Sequence, residues 1–354
     1  MISKDKLLTF LVAPVFLSTS LAVFPFGCGS ANDGGVFKSI DRGENWEQKV
    51  KISKNQDIAS ASVLAAALDP QNPQIIYLGT KGEGIYKTMD GGELWYPIVD
   101  ANLSLDKRVN VYDLAIDPKN TNNLYAGVYQ NNLGRLLRSS DAGKNWEEVY
   151  RVSREKYAVF AVEVDSYDPA IIYMGTAEGG LLKSVDYGKS WRIINWLDDV
   201  IVDIKVDPRD TRIVYAATSR RGVYKTTDKG QSWQKLEGLK NIQEADNIKT
   251  LVVDYQNPSV LYIGSDDGLL KSTDGGQGWQ KMTIATPPSS VTIATLTLDP
   301  TISSALYYAA GNVIYRTKDN GQSWTVHPVA TRKIIKVIAF DPRSPNVIYA
   351  GVGK

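Results

Sequence analysis

STDGGQGW, residues 272–279, is one of seven nearly equal octapeptides in the chain. The others are SIDRGENW (39–46), TMDGGELW (88–95), SSDAGKNW (139–146), SVDYGKSW (184–191), TTDKGQSW (226–233) and TKDNGQSW (317–324). The common form is Ser/Thr-x-Asp-x-Gly-x-x-Trp. Its glycine permits positive φ in a tight turn. The carboxylates of Asp41, Asp90, Asp141, Asp186, Asp228, Asp274 and Asp319 can accept backbone N–H groups within that turn. Trp46, Trp95, Trp146, Trp191, Trp233, Trp279 and Trp324 are large rigid side chains suited to packing between sheets. Turn chemistry explains every fixed residue, so the octapeptide reads as a structural joint rather than seven ligand sites.

A second repeat interleaves with the first. SVLAAALDPQNPQIIYLGT (62–80), VIVDIKVDPRDTRIVYAAT (200–218) and KIIKVIAFDPRSPNVIYAG (333–351) are three of its seven copies. Each is a β-branched run, a turn rich in Asp, Pro and Asn, and a second run carrying a Tyr, which reads as strand, turn, strand. With the short runs flanking the octapeptide, the unit is four strands, A to D. It repeats every 45 residues or so, roughly the length of one propeller blade. The fold class is all-β, a seven-bladed propeller of four-stranded blades. The chain opens on a C-D half (35–50) and closes on an A-B half (333–352). Each lone half carries an unpaired edge, and pairing the two closes the ring.

The octapeptide resembles the Asp-box, or BNR repeat, and residues 33–354 resemble Asp-box β-propellers. The A-B half is similar to sortilin-type receptors and xyloglucan-active endoglucanases, with photosystem II assembly-factor propellers as further relatives in style. The resemblance implies the fold. It spans sialidases, glucanases, receptors and assembly factors, so it does not by itself assign a function. The Arg-Ile-Pro signature of sialidases is missing. Xyloglucan endoglucanases resembling this chain use a cleft between two propellers, and one propeller is read here.

Forty basic against thirty-nine acidic residues give a net charge of +1, which argues against a nucleic-acid partner held by bulk charge. One Cys and one His exclude an internal disulfide and a Cys/His zinc cluster. No metal or other cofactor is expected. Residues 1–32 read as an export signal, with a basic start and then an uncharged run ending at Asp33. Three outcomes fit it: a lipoprotein signal cleaved before and lipidated at Cys28, cleavage after Ala22, or an uncleaved membrane anchor. All three place residues 33–354 outside the cytoplasm.

Catalytic candidates are weak. Hydrolysis of a glycosidic bond needs two carboxylates about 5–9.5 Å apart. Asp113, Glu163 and Asp203 on the inner A strands are the candidates, but lysines occupy comparable positions, and a ring of structural ion pairs fits equally. The single His327 reads as a surface residue in a D–A connection. Binding is expected on the variable D–A and B–C loops. Trp196 is the one Trp outside an octapeptide. Arg108, Arg151, Arg154, Arg220, Arg221 and Arg332 accompany it and suit carboxylate- or phosphate-bearing partners. The expected function is a non-catalytic, membrane-tethered platform for a protein or surface glycan, with assembly of an envelope complex as a candidate task. The runner-up is a glycoside hydrolase of the xyloglucanase or BNR type. The oligomeric state is not legible.

Overall fold

Alternating apolar runs separated by tight turns give antiparallel strands that pair with their sequence neighbours. The structure is a computed structural model and describes residues 32–286 and 292–354. The leader read at 1–32, with Cys28, lies outside those residues apart from Asn32. Blade 2 comprises Val63–Leu68, Ile76–Thr80, Ile85–Thr88 and Tyr96–Pro97 as strands A to D. Blades 3 to 7 follow the same order, and their A strands are Asn110–Ile116, Val159–Val164, Ile201–Val206, Ile248–Val253 and Ile293–Asp299. Blade 1 combines both chain ends. Gly35–Ser39 and Glu47–Gln48 supply C and D, and Ile334–Phe340 and Ile348–Gly353 supply A and B. Phe37 pairs with Ala350 across that junction. The fold is therefore a seven-bladed propeller whose ring is closed by its termini.

Each A strand packs against the A strands of both neighbouring blades, so the seven form an inner ring. Every A strand also carries a register shift near its start. Such bulges re-aim a side chain and bend the strand. The extra residue is Tyr112 in blade 3, Phe160 in blade 4, Lys249 in blade 6 and Lys336 in blade 1. Tyr112 and Phe160 meet edge to face at 4.6 Å.

Seven apolar clusters hold the molecule, and each straddles two adjacent blades. Blade-to-blade packing is thus the core. The octapeptide supplies the pins. In all seven, the Ser or Thr hydroxyl donates to the Asp carboxylate and accepts the glycine N–H. The same carboxylate accepts the N–H of the residue before Trp, at 2.8–2.9 Å. Trp95 and Trp146 are fully buried, and Trp279 nearly so. Trp46, Trp191, Trp233 and Trp324 are half-buried. The glycine has φ of 80–94° throughout. The residue before it is also left-handed, at 58–71°, although it is Arg42, Ala142, Tyr187, Lys229 or Asn320 in five of the seven.

A further joint was not read from the sequence. A basic residue precedes every octapeptide: Lys38, Lys87, Arg138, Lys183, Lys225, Lys271 and Arg316. Six of the seven cations lie over the strand-B Tyr ring of their own blade, 5.0–6.0 Å from its centroid. Several also reach the next blade's octapeptide. Lys38 Nζ and the Tyr349 hydroxyl both donate to the Gly91 carbonyl, at 2.9 and 3.0 Å. Lys183 Nζ donates to the Lys229 carbonyl at 2.7 Å.

The pins carry a pH signature. The Ser190 hydroxyl and backbone N–H hold Asp186 down at about 2, and those of Ser323, with the Thr317 hydroxyl, do the same for Asp319. An unfolded Asp titrates near 3.9 or so. A depressed folded pKa gives stability that is present above the unfolded value and lost as pH falls toward the folded one. Replacing Ser190, Ser232 and Ser323 together with Ala is expected to move the acid unfolding midpoint to higher pH. Thermal unfolding followed from pH 7 to 2 checks this, and coincident acid limbs for variant and wild type would refute it.

Candidate functional site

The A–B and C–D turns occupy one face of the ring, and the D–A and B–C connections occupy the other. A cavity of about 600 Å³ lies on the second face. It forms between the B–C turn of blade 5 and the excursion 236–247 that leads from blade 5 to blade 6. Two short 3-10 turns, Glu237–Leu239 and Gln243–Ala245, shape that excursion. Gly238 lies so close to the Gln277 carbonyl in the blade 6 octapeptide that any Cβ there would clash. The excursion is thereby pinned to the next blade.

The floor of the cavity is apolar, with Leu236, Leu239 and Ala245 buried and Ile242 half-buried. Its rim carries Arg220, Arg221, Lys235 and Lys240 against Glu237 and Asp246. The Asp199 carboxylate accepts the backbone N–H groups of Arg220 and Arg221 at 2.5 and 2.9 Å. That fixes the turn without engaging either guanidinium. Among the described residues none of the four cations has an ion-pair partner.

The other residues singled out from the sequence are dispersed. Trp196 ends strand Arg192–Trp196 of blade 4 and is 45% exposed. The loop after it carries Asp198 and Asp199, so Trp196 and the Arg220–Arg221 turn are joined by adjacent loops. Arg151 is committed to Glu148, with two contacts of 2.7 and 3.0 Å, and Glu148 also takes Arg135. Arg108 and Arg154 are exposed in the loops before blades 3 and 4, and Arg332 lies in the loop before strand A of blade 1. The structure thus ties the loop that follows Trp196 to the Arg220–Arg221 turn through Asp199. The excursion 236–247 was visible as a variable loop, but no local pattern shows that it folds back over an apolar floor.

The three carboxylates proposed for catalysis line the inner ring on blades 3 to 5, half-buried. Each reaches across to the next A strand. Asp113 accepts the Val162 N–H at 2.8 Å, Asp203 the Leu251 N–H at 2.9 Å, and Glu163 the Val206 N–H at 3.4 Å. Lys205 Nζ donates to Asp203 at 2.6 Å. Burial pushes Asp113 up to about 6 and Glu163 up to about 7, against the opposing pull of the Lys205 charge. These groups satisfy backbone donors along the inner strand edges, which is a structural task. His327 departs from its sequence reading. It lies in strand Thr325–Pro328, mostly buried, with Nε2 2.8 Å from the Thr325 hydroxyl and Nδ1 3.6 Å from Glu44. Burial and the Arg316 charge lower its pKa. Among the described residues there is no cluster of three or more metal-ligating side chains.

Comparison with known proteins points in two directions. A family model described as photosynthesis system II assembly factor YCF48 matches residues 195–352. Xyloglucanase Xgh74A of Acetivibrio thermocellus is 33% identical over 137 residues, covering 33% of this chain and 16% of that protein. A GH74 xyloglucanase structure from Xanthomonas campestris superposes with a TM-score of 0.69 at 17% identity, covering 86% of this chain and 52% of the other. A structure of YCF48 bound to D1 peptide gives a TM-score of 0.63 at 15% identity, covering 83% of this chain and 93% of the other. The chain therefore spans only part of the xyloglucanases it matches, and nearly the whole length of that YCF48 structure. The chain is a seven-bladed β-propeller bearing seven octapeptides that resemble the Asp-box, similar in fold to both groups.

Proposed function

We propose that this propeller is a non-catalytic binding platform, exported and held at a membrane by its N-terminal leader. Its ligand is a protein segment with acidic residues around an aliphatic anchor. The observation that carries this reading is the cavity of blades 5 and 6, where four cations with no ion-pair partner among the described residues ring an apolar floor. Cations without internal partners lose little on meeting an external carboxylate, and an apolar pocket gives the anchor that dominates binding energy. The similarity to a propeller solved with a bound peptide supports the same reading. Trp196, 45% exposed at the end of the strand whose following loop bonds the Arg220–Arg221 turn, adds an aromatic to this reading.

The second reading is a glycoside hydrolase, favoured by the xyloglucanase similarity and by Glu163, whose pKa near neutrality suits an acid catalyst. One set of preparations separates the two. The wild-type chain is expected to capture a partner from native envelopes and to leave xyloglucan and related polysaccharides uncleaved. Turnover that disappears in Glu163→Gln would replace the platform with the enzyme.

A further inference from the structure

The loop face is electrically divided, and the division follows the point where the chain enters the fold. Asn32 and Asp33 lie beside the loop before strand A of blade 1. The Thr331 hydroxyl donates to the Asp33 carbonyl at 2.6 Å, and the Arg332 N–H donates to the Asp33 carboxylate at 2.8 Å. Arg332 and Lys333 stand at this entry point, and the blade 1 and 2 loops and strands on either side of it add Lys54, Lys81, Lys336 and Lys354. Among the described residues none of the six has an ion-pair partner. The nearby acids are fewer and hydrogen-bonded: Asp33 to Arg332, Asp57 to the Ala59 N–H, and Glu83 to the Tyr86 hydroxyl. Lys336 has its pKa lowered by burial, by the charge of Lys249 on the inner strand of blade 6 and by that of Lys81. Ile334, next in sequence to Lys333, is 40% exposed. Across the ring, the blade 4 to 6 loops carry Glu178, Asp198, Asp199, Glu237, Asp246, Asp266 and Asp267 against Arg220, Arg221, Lys235 and Lys240, so acids outnumber cations there.

We propose that the sector of blades 1 and 2 on this face rests against an anionic lipid surface, and that the blade 4 to 6 sector is held away from it. The inference rests on the tether read at the N-terminus. Cys28 stands four residues before Asn32, a span of at most about 14 Å when fully extended. Either a lipid on Cys28 or an uncleaved anchor would therefore hold the entry point near the headgroups. Lysines and arginines at that distance gain from the negative surface potential, which falls off within a screening length of about 8 Å. The acidic loops opposite are repelled by the same potential. The tilt leaves the cavity of blades 5 and 6 open toward the space above the bilayer, where the exposed part of a membrane protein would meet it.

The test uses the full chain, reconstituted in vesicles of phosphatidylcholine alone or with phosphatidylglycerol added. Flotation with the neutral vesicles reports the tether. Backbone hydrogen exchange at 51–57 and 329–336 reports the contact. The proposal expects flotation in both, with slower exchange of those two segments only on the anionic vesicles. Raised salt should abolish the protection, as should the quadruple variant Lys54→Glu, Lys81→Glu, Arg332→Glu, Lys354→Glu, all at exposed positions. A chain that floats with both but exchanges identically, or is protected on the blade 4 to 6 loops instead, overturns the orientation while leaving the tether standing. A chain that floats with neither overturns both. The salt series on the wild type separates these outcomes even where the variant is poorly folded.

Discussion

Trp146→Ala is expected to destabilise the propeller by about 3–5 kcal/mol, the range for removing a fully buried large aromatic side chain. Trp146 is 1% exposed and lies in the cluster between blades 2 and 3, among Tyr77, Leu124 and Leu137. Its indole N–H donates to the Gly143 carbonyl at 3.1 Å, and its backbone N–H donates to Asp100 at 3.0 Å. Truncation opens a cavity in an interface that seven blades must complete to close the ring. Trp233 is the internal contrast. It is half-buried, and its indole nitrogen has no partner. Trp233→Ala should therefore cost clearly less. Denaturant unfolding of both variants checks the order. Equal losses would mean that the octapeptide, not its burial, sets the value of its Trp.

Reversing the rim of the blade 5 to 6 cavity should nearly abolish capture of an acidic, leucine-bearing segment while the fold survives. Arg220, Arg221 and Lys240 are exposed and make no internal ion pairs among the described residues. Their replacement by Glu removes favourable charge and adds repulsion, and like-charge juxtaposition of this kind costs several kcal/mol at an interface. The Arg220 and Arg221 backbone N–H bonds to Asp199 are retained in the variant, so the turn keeps its shape. Raised salt should weaken wild-type binding in the same direction, because exposed charges are screened.

Much of the fold was legible because each octapeptide states its own local chemistry. The Gly, Asp and Ser or Thr of each copy predict a turn, and the phase of the two repeats predicts how residues 35–50 and 333–352 join. The basic residue before each copy stands in the sequence, but its place over the strand-B Tyr and its reach to the next octapeptide were not read from it. The A-strand bulges at Tyr112, Phe160 and Lys336 escaped because one extra residue in a short, largely apolar run gives no local pattern of its own. The candidate site was less legible. Asp113, Glu163 and Asp203 carry the right groups for hydrolysis, and only three-dimensional geometry shows each one bonded to a neighbouring strand. The cavity depends on how 236–247 folds over the blade 6 octapeptide, and no residue spacing encodes that. Arg220 and Arg221 were selected by residue type alone, and the same reasoning also selected Arg151, which Glu148 holds.

The most direct measurement is a fluorescence titration of the purified chain with an acidic peptide carrying one central leucine. Wild type and the Arg220→Glu, Arg221→Glu, Lys240→Glu variant are compared at low salt. Saturable binding by the wild type, weakened at least about tenfold in the variant, or roughly 1.4 kcal/mol, is the predicted result. Equal binding by two folded proteins, or none by the wild type, would contradict the platform and its site together.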